Sequence, residues 1–120
     1  MAGQLTIDTL RAGSGVLATQ NGMTGIAKAW CNYNGSTQTI TNSFNISSVT
    51  YNSTGNYTFN FTTAMPNATY SAQYSGSASS YLAILDYSTA RTTSAINLLS
   101  IDVNGTIANT TSANLAIFSS

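Results

Sequence analysis

Histidine does not occur in the 120 residues, and all three acidic residues are aspartates: Asp8, Asp86 and Asp102. The usual general base at neutral pH and the commonest metal ligand are therefore missing, along with every glutamate carboxylate. Charge of either sign is scarce. Charged residues make up 5% of the chain, against roughly a quarter in ordinary soluble domains, and Arg11, Lys28 and Arg91 balance the aspartates to a formal net charge of zero. A phosphate-tracking surface needs clustered Lys or Arg, so three scattered cations exclude nucleic-acid binding. Cysteine occurs once, at Cys31, so no intrachain disulfide can form. With no histidine to activate it, Cys31 is expected to be a small, buried, apolar side chain in a strand. No apolar run is long enough to span a membrane as a helix; those around Leu82–Leu85 and Ile96–Ile101 have strand length. The first 21 residues lack the basic start and continuous apolar core of a secretory signal, so synthesis in the cytoplasm is expected.

Uncharged polar residues fill the gap. Ser, Thr and Asn form about two-fifths of the chain, so hydroxyls and amides must wet a surface that charge usually wets. Such a surface repels its own copies weakly, which suits a subunit of an assembly. Eight Asn-x-Ser/Thr triplets, beginning at Asn34, Asn45, Asn52, Asn56, Asn60, Asn67, Asn104 and Asn109, are what this composition produces by chance; they do not argue for a secreted glycoprotein. Hydrophobic residues reach 42% with no net charge, the opposite of a disordered composition. At this length one domain with one modest core is expected.

The periodicity is that of strands. Tyr57, Phe59 and Phe61 alternate with Thr58, Asn60 and Thr62, and Asn52-Ser53-Thr54-Gly55 joins them to Val49 and Tyr51 as a hairpin. Residues 26–33 predict another strand, with Ala27, Ala29, Cys31 and Tyr33 facing the core, and Lys28, Trp30 and Asn32 on the second face. Asn34-Gly35 closes it, and 37–41 and 44–51 continue as strands. Phe44 and Ile46 share one parity and Val49 and Tyr51 the other, which predicts a bulge at Ser47-Ser48. Pro66 ends the aromatic strand's pairing; Tyr70, Ala72 and Tyr74 then alternate, 76–80 form a loop, and 81–87 and 93–103 follow as strands. The last of these shows a second parity slip between Leu98 and Leu99. Asn104-Gly105 turns the chain, and 115–118 closes the sheet. Turns every eight to twelve residues predict an all-β fold, an antiparallel β-sandwich or jelly-roll knob over residues 25–120. Residues 1–24 are poor in large apolar side chains and are expected to form a short extended N-terminal attachment arm, with Leu5, Ile7 and Leu10 as subunit contacts. Trp30 is a further candidate contact, because an exposed indole is costly.

Three segments taken together, Ala27-Lys28-Ala29-Trp30-Cys31-Asn32-Tyr33-Asn34-Gly35, Ser43-Phe44-Asn45-Ile46-Ser47-Ser48-Val49 and the stretch from Gly55-Asn56-Tyr57 to Ala64-Met65-Pro66, resemble a module of tailed-bacteriophage tail fibres and related virion proteins. The ending Asn114-Leu115-Ala116-Ile117-Phe118 is similar too. The resemblance implies a non-enzymatic virion surface protein, a homotrimer made in the bacterial host cytoplasm. Its β-knob would be held by the N-terminal segment to other virion proteins, tail or major capsid protein, and would meet a host surface glycan. Cys31 departs from the expected β-branched residue, and the region before Gly25 is too short for a fibre shaft. That shortness keeps open capsid decoration, in which the chain would stabilise the phage head as a cement protein.

Chemistry is thinly represented. Asp86 and Asp102 are the one pair that could serve a polysaccharide-acting enzyme, a third reading, but each sits at a strand end where Asp satisfies turn amides. No Asp/Asn ladder of the calcium-binding kind appears, so neither catalytic residue, metal nor cofactor is expected. Tyr70, Tyr74, Tyr81 and Tyr87 bracket the 76–80 loop and are candidate glycan or receptor contacts, since Tyr beside small polar residues makes an adaptable surface. Core packing accounts for alternating tyrosines equally well.

Overall fold

A computed structural model of the protein describes residues 3, 26–76 and 91–119, together with the backbone of 81–84. The elements are β1 (Ala27–Asn34), β2 (Thr39–Phe44), β3 (Ile46–Ser53), β4 (Asn56–Phe61), β5 (Ser71–Gly76), β6 (Tyr81–Ile84), β7 (Ala95–Asp102) and β8 (Ala113–Phe118). They form two four-stranded antiparallel sheets, β2-β1-β8-β5 and β3-β4-β7-β6, packed face to face as a β-sandwich. The expected arm, residues 1–24, and its contacts Leu5, Ile7 and Leu10 lie outside the described residues.

The alternation read from the sequence sets the core. Tyr57, Phe59 and Phe61 on β4 are buried, with Asn56, Thr58 and Asn60 between them half-buried on the outer face. Beside them in the same sheet stand Ile96 and Leu98 of β7, and across the sandwich they face Ala29, Cys31 and Tyr33 of β1 and Leu115 and Ile117 of β8. Tyr33 packs edge-on against Tyr57 and Phe59, with ring centroids 5.2 and 6.0 Å apart. Edge-to-face pairs of this kind contribute about 1 kcal/mol beyond the area they bury. The bulge expected at Ser47-Ser48 is present: the β3–β4 register shifts between Ile46 and Ser48.

Four local expectations are corrected. Residues 44–51 do not run as one strand; the chain leaves the first sheet at Phe44 and enters the second at Ile46, turning at Asn45 with φ 56°. Asn tolerates this left-handed conformation, and its side chain secures the corner. Nδ2 donates to Lys28 O (2.9 Å) and Thr63 O (3.1 Å), and Oδ1 accepts from Thr63 N–H (2.7 Å). Secondly, β7 has no parity slip: its register runs unbroken, and Ser100 takes the inward position after Ile96 and Leu98. A polar residue at a core position is what made the pattern look shifted. Thirdly, Lys28 is not on an open face but buried, within the bulge where β1 shifts against β8 between Ala27 and Ala29. Fourthly, Ala27 is half-buried rather than a core residue.

The end of the sandwich away from Asn45 is closed by residues 103–112. Asn109 Oδ1 accepts from Gly55 N–H (2.7 Å) and from the Tyr57 hydroxyl (3.1 Å), while its Nδ2 donates to the Tyr51 hydroxyl (3.2 Å). Gly35 N–H donates to Thr110 O (2.9 Å), tying the β1–β2 turn to the same segment. Gly55 has φ +68°, and a Cβ there would meet Ser100 O at 2.7 Å and Ala108 O at 2.8 Å, so only glycine fits the β3–β4 turn.

Candidate functional site

The four candidate tyrosines do not form one surface. Tyr70 is core: it is 2% exposed, packs edge-on against Phe61 at 5.8 Å, and its hydroxyl lies 3.1 Å from both Thr92 O and Ala95 O, to which it donates. The Arg91 guanidinium covers its ring, 5.6 Å from the centroid, and donates to the Tyr70 carbonyl. Its expected place on a binding surface is thus corrected, because both ring and hydroxyl are spent on packing. Tyr74 is half-buried, with its hydroxyl inside the sandwich near Ser100 Oγ; the two approach without closing a hydrogen bond, and burial pushes the phenol pKa well up. Tyr81 begins β6, where only the backbone is described, and Tyr87 lies outside the described residues.

The other candidates resolve differently. Cys31 is buried as expected, and burial pushes its thiol up to about 11, so it stays protonated and unreactive at neutral pH. Asp102 Oδ1 accepts from Asn104 N–H (2.8 Å) and Thr106 N–H (2.9 Å), the turn role read from its position. Asp86 lies outside the described residues. Among the described residues no three His, Cys, Asp or Glu side chains gather as a metal site.

Trp30 is 38% exposed on the outer face of the first sheet, as its parity predicted. Register places it in a row that runs across all four strands: Phe44 on β2, Trp30 on β1, Ala116 on β8 and Gln73 on β5. Two residues along, a second row reads Asn42, Asn32, Asn114 and Ser75. Neighbouring side chains within a row stand about 5 Å apart, and the rows about 7 Å. Ala116 and its neighbours Gln73, Tyr74, Ser75, Asn114 and Leu115 line an open depression of about 310 Å³ on the β8–β5 half of this face. Gln73 lines it on the β5 side of Ala116, and Trp30 stands next to Ala116 on the other side, beyond the lining residues. The Ser112 hydroxyl lies 3.4 Å from Oδ1 of both Asn32 and Asn114, which turns the two carbonyl oxygens towards it. The amide NH2 groups of both have no hydrogen-bond partner among the described residues.

The second sheet's outer face has a similar composition and a different state. Asn60 Nδ2 lies 3.1 Å from Ser48 Oγ and from Thr50 Oγ1, and Asn52 Nδ2 donates to Thr58 Oγ1 (2.8 Å). Asn97 Nδ2 is 2.8 Å from both Asn56 Oδ1 and Thr58 Oγ1. There the donors are consumed within the sheet. Of the two faces, among the described residues, the first sheet's is the one that presents a row of unspent amides beside an exposed aromatic. Sequence reasoning singled out Trp30 but missed Asn32, Gln73, Ser75 and Asn114, since their alignment depends on pairing between strands far apart in the chain, as where Asn32 meets Asn114. No family model, curated protein or solved structure matches this chain.

Proposed function

We propose that the chain is a non-enzymatic structural protein of a bacteriophage virion, a surface-exposed β-knob of host-adhesion type. It assembles as a homotrimer, anchored to neighbouring virion proteins through residues 1–24, with Leu5, Ile7 and Leu10 as contacts between subunits. The observation that carries the reading is the character of the sandwich's outer faces. Among the described residues the rows on both sheets present amides and hydroxyls, with Trp30 and Phe44 on the first and Leu99 on the second, and no charged side chain, a surface suited to meeting other neutral surfaces. The tail-fibre-like segments around Trp30, Phe44 and Tyr57 supply the virion context.

Antibody labelling of intact particles tests it. Label at the tail is the expected result. Label on the head would replace adhesion by capsid decoration, and purified particles without the protein would overturn both. Light scattering is expected to give three times the 12.5 kDa chain mass; a stable monomer at micromolar concentration would remove the trimer.

A further inference from the structure

We propose that the outer face of the β1–β8–β5 strands binds a neutral saccharide, in the depression floored by Ala116. This rests on the adhesion reading, narrows the glycan expected of it to a neutral sugar and gives it a site. A pyranose ring is amphipathic: its C–H faces are apolar and its rim is a ring of hydroxyls. The two rows match those two demands. Trp30 stands directly across from Ala116 and offers its indole to a C–H face, while Asn32 and Asn114, one row away, offer unpartnered NH2 donors to the rim. Gln73 and Ser75 close the β5 side, exposed and directly opposite Ala116 and Asn114. Strand spacing of about 5 Å puts these groups within reach of one or two sugar units.

Charge selects the class. No ionised side chain occupies either row, so a phosphate, uronate or charged peptide would be desolvated here with nothing to offset the loss. A neutral sugar exchanges water hydrogen bonds for amide ones at little cost. The second sheet sharpens the choice of face, because its amides already bond one another and have few donors left. Trp30 is thereby assigned to the ligand rather than to a neighbouring subunit.

Trp30 is the only tryptophan beside seven tyrosines, so emission excited selectively at the indole reports this site alone. The full chain is titrated with tetrasaccharides of glucose, galactose, mannose and N-acetylglucosamine, and with tetragalacturonate as the acidic control. A saturable emission shift with at least one neutral tetramer is expected, and none with the acidic one. Asn114→Ala and Gln73→Ala should each weaken binding about threefold to tenfold, whereas Thr50→Ala on the opposite sheet should leave it unchanged. No shift with any neutral tetramer overturns the proposal, as does a shift that survives both substitutions. Dissociation of the trimer by Trp30→Ala would make the indole a subunit contact and also overturn it. Cell adsorption separates the two levels. Adsorption that Trp30→Ala leaves intact removes the saccharide site and spares the adhesion reading; wild-type protein that does not adsorb removes adhesion, while the titration still decides the site.

Discussion

Asn45 makes the corner between the sheets, and replacing it separates what its backbone and its side chain contribute. Asn45→Ala removes three hydrogen bonds, two donated to Lys28 O and Thr63 O and one accepted from Thr63 N–H, at a residue 8% exposed. At a net of about 1 kcal/mol each, these amount to about 3 kcal/mol. Alanine at φ 56° adds about 1 kcal/mol of left-handed strain that asparagine largely avoids. The expected loss is about 4 kcal/mol, a large part of the roughly 5–15 kcal/mol typical of a whole domain. Asn45→Gly loses the same three bonds without the strain, so it should be about 1 kcal/mol less damaging than alanine. Urea unfolding followed by Tyr fluorescence and circular dichroism measures both, provided the m value holds constant. A loss under about 1 kcal/mol for alanine would refute the corner as a hydrogen-bonded lock, and glycine more damaging than alanine would refute the strain argument.

Gly55→Ala should cost about 3 kcal/mol, because its Cβ would strike the Ser100 and Ala108 carbonyls, whereas Gly105→Ala, at φ +83° with open space around it, should cost about 1 kcal/mol; thermal melts of the pair isolate the clash from the strain. Arg91→Met should destabilise by about 1–2 kcal/mol through loss of the contacts over Tyr70, read by urea unfolding. Burial raises the pKa of Cys31, to about 11, and also those of Tyr33 and Tyr74. Each is neutral in the fold while the unfolded chain ionises first, so their contribution is complete below pH 9, the ordinary thiol value, and is lost as pH rises through the folded values. Stability measured across the alkaline range should fall from about pH 9, and the fall should begin later in Cys31→Ala. Native Cys31 should react with a thiol reagent at about pH 8 only at the rate of unfolding; rapid labelling would refute its burial.

What could be read from the sequence was whatever lies within one strand or one turn. The β3–β4 hairpin, its bulge and the buried triplet Tyr57, Phe59 and Phe61 follow from alternation and turn residues that are neighbours in the chain. Asn45 was missed because Phe44 and Ile46 share parity across it, and a single left-handed residue leaves no mark on a period of two. Ser100 misled for a related reason: an inward hydroxyl looks like an outward one until the opposing strand is known. Tyr70 and Trp30 show the ambiguity of amphipathic rings, one spent in the core and the other left at the surface. The candidate site was illegible beyond Trp30, because its rows join residues 30–44 to 73–75 and 114–116 through register alone.

The pairing of Ala27 with Phe118 brings the first and last strands side by side, so the polypeptide enters and leaves the sandwich at the same pole. Anything fused before β1 or after β8 would emerge there. Gly35, Gly55 and Asn109 meet at the opposite pole, and a reporter placed on the Ser36-Thr37 turn would ride there, away from the start of β1 and the end of β8.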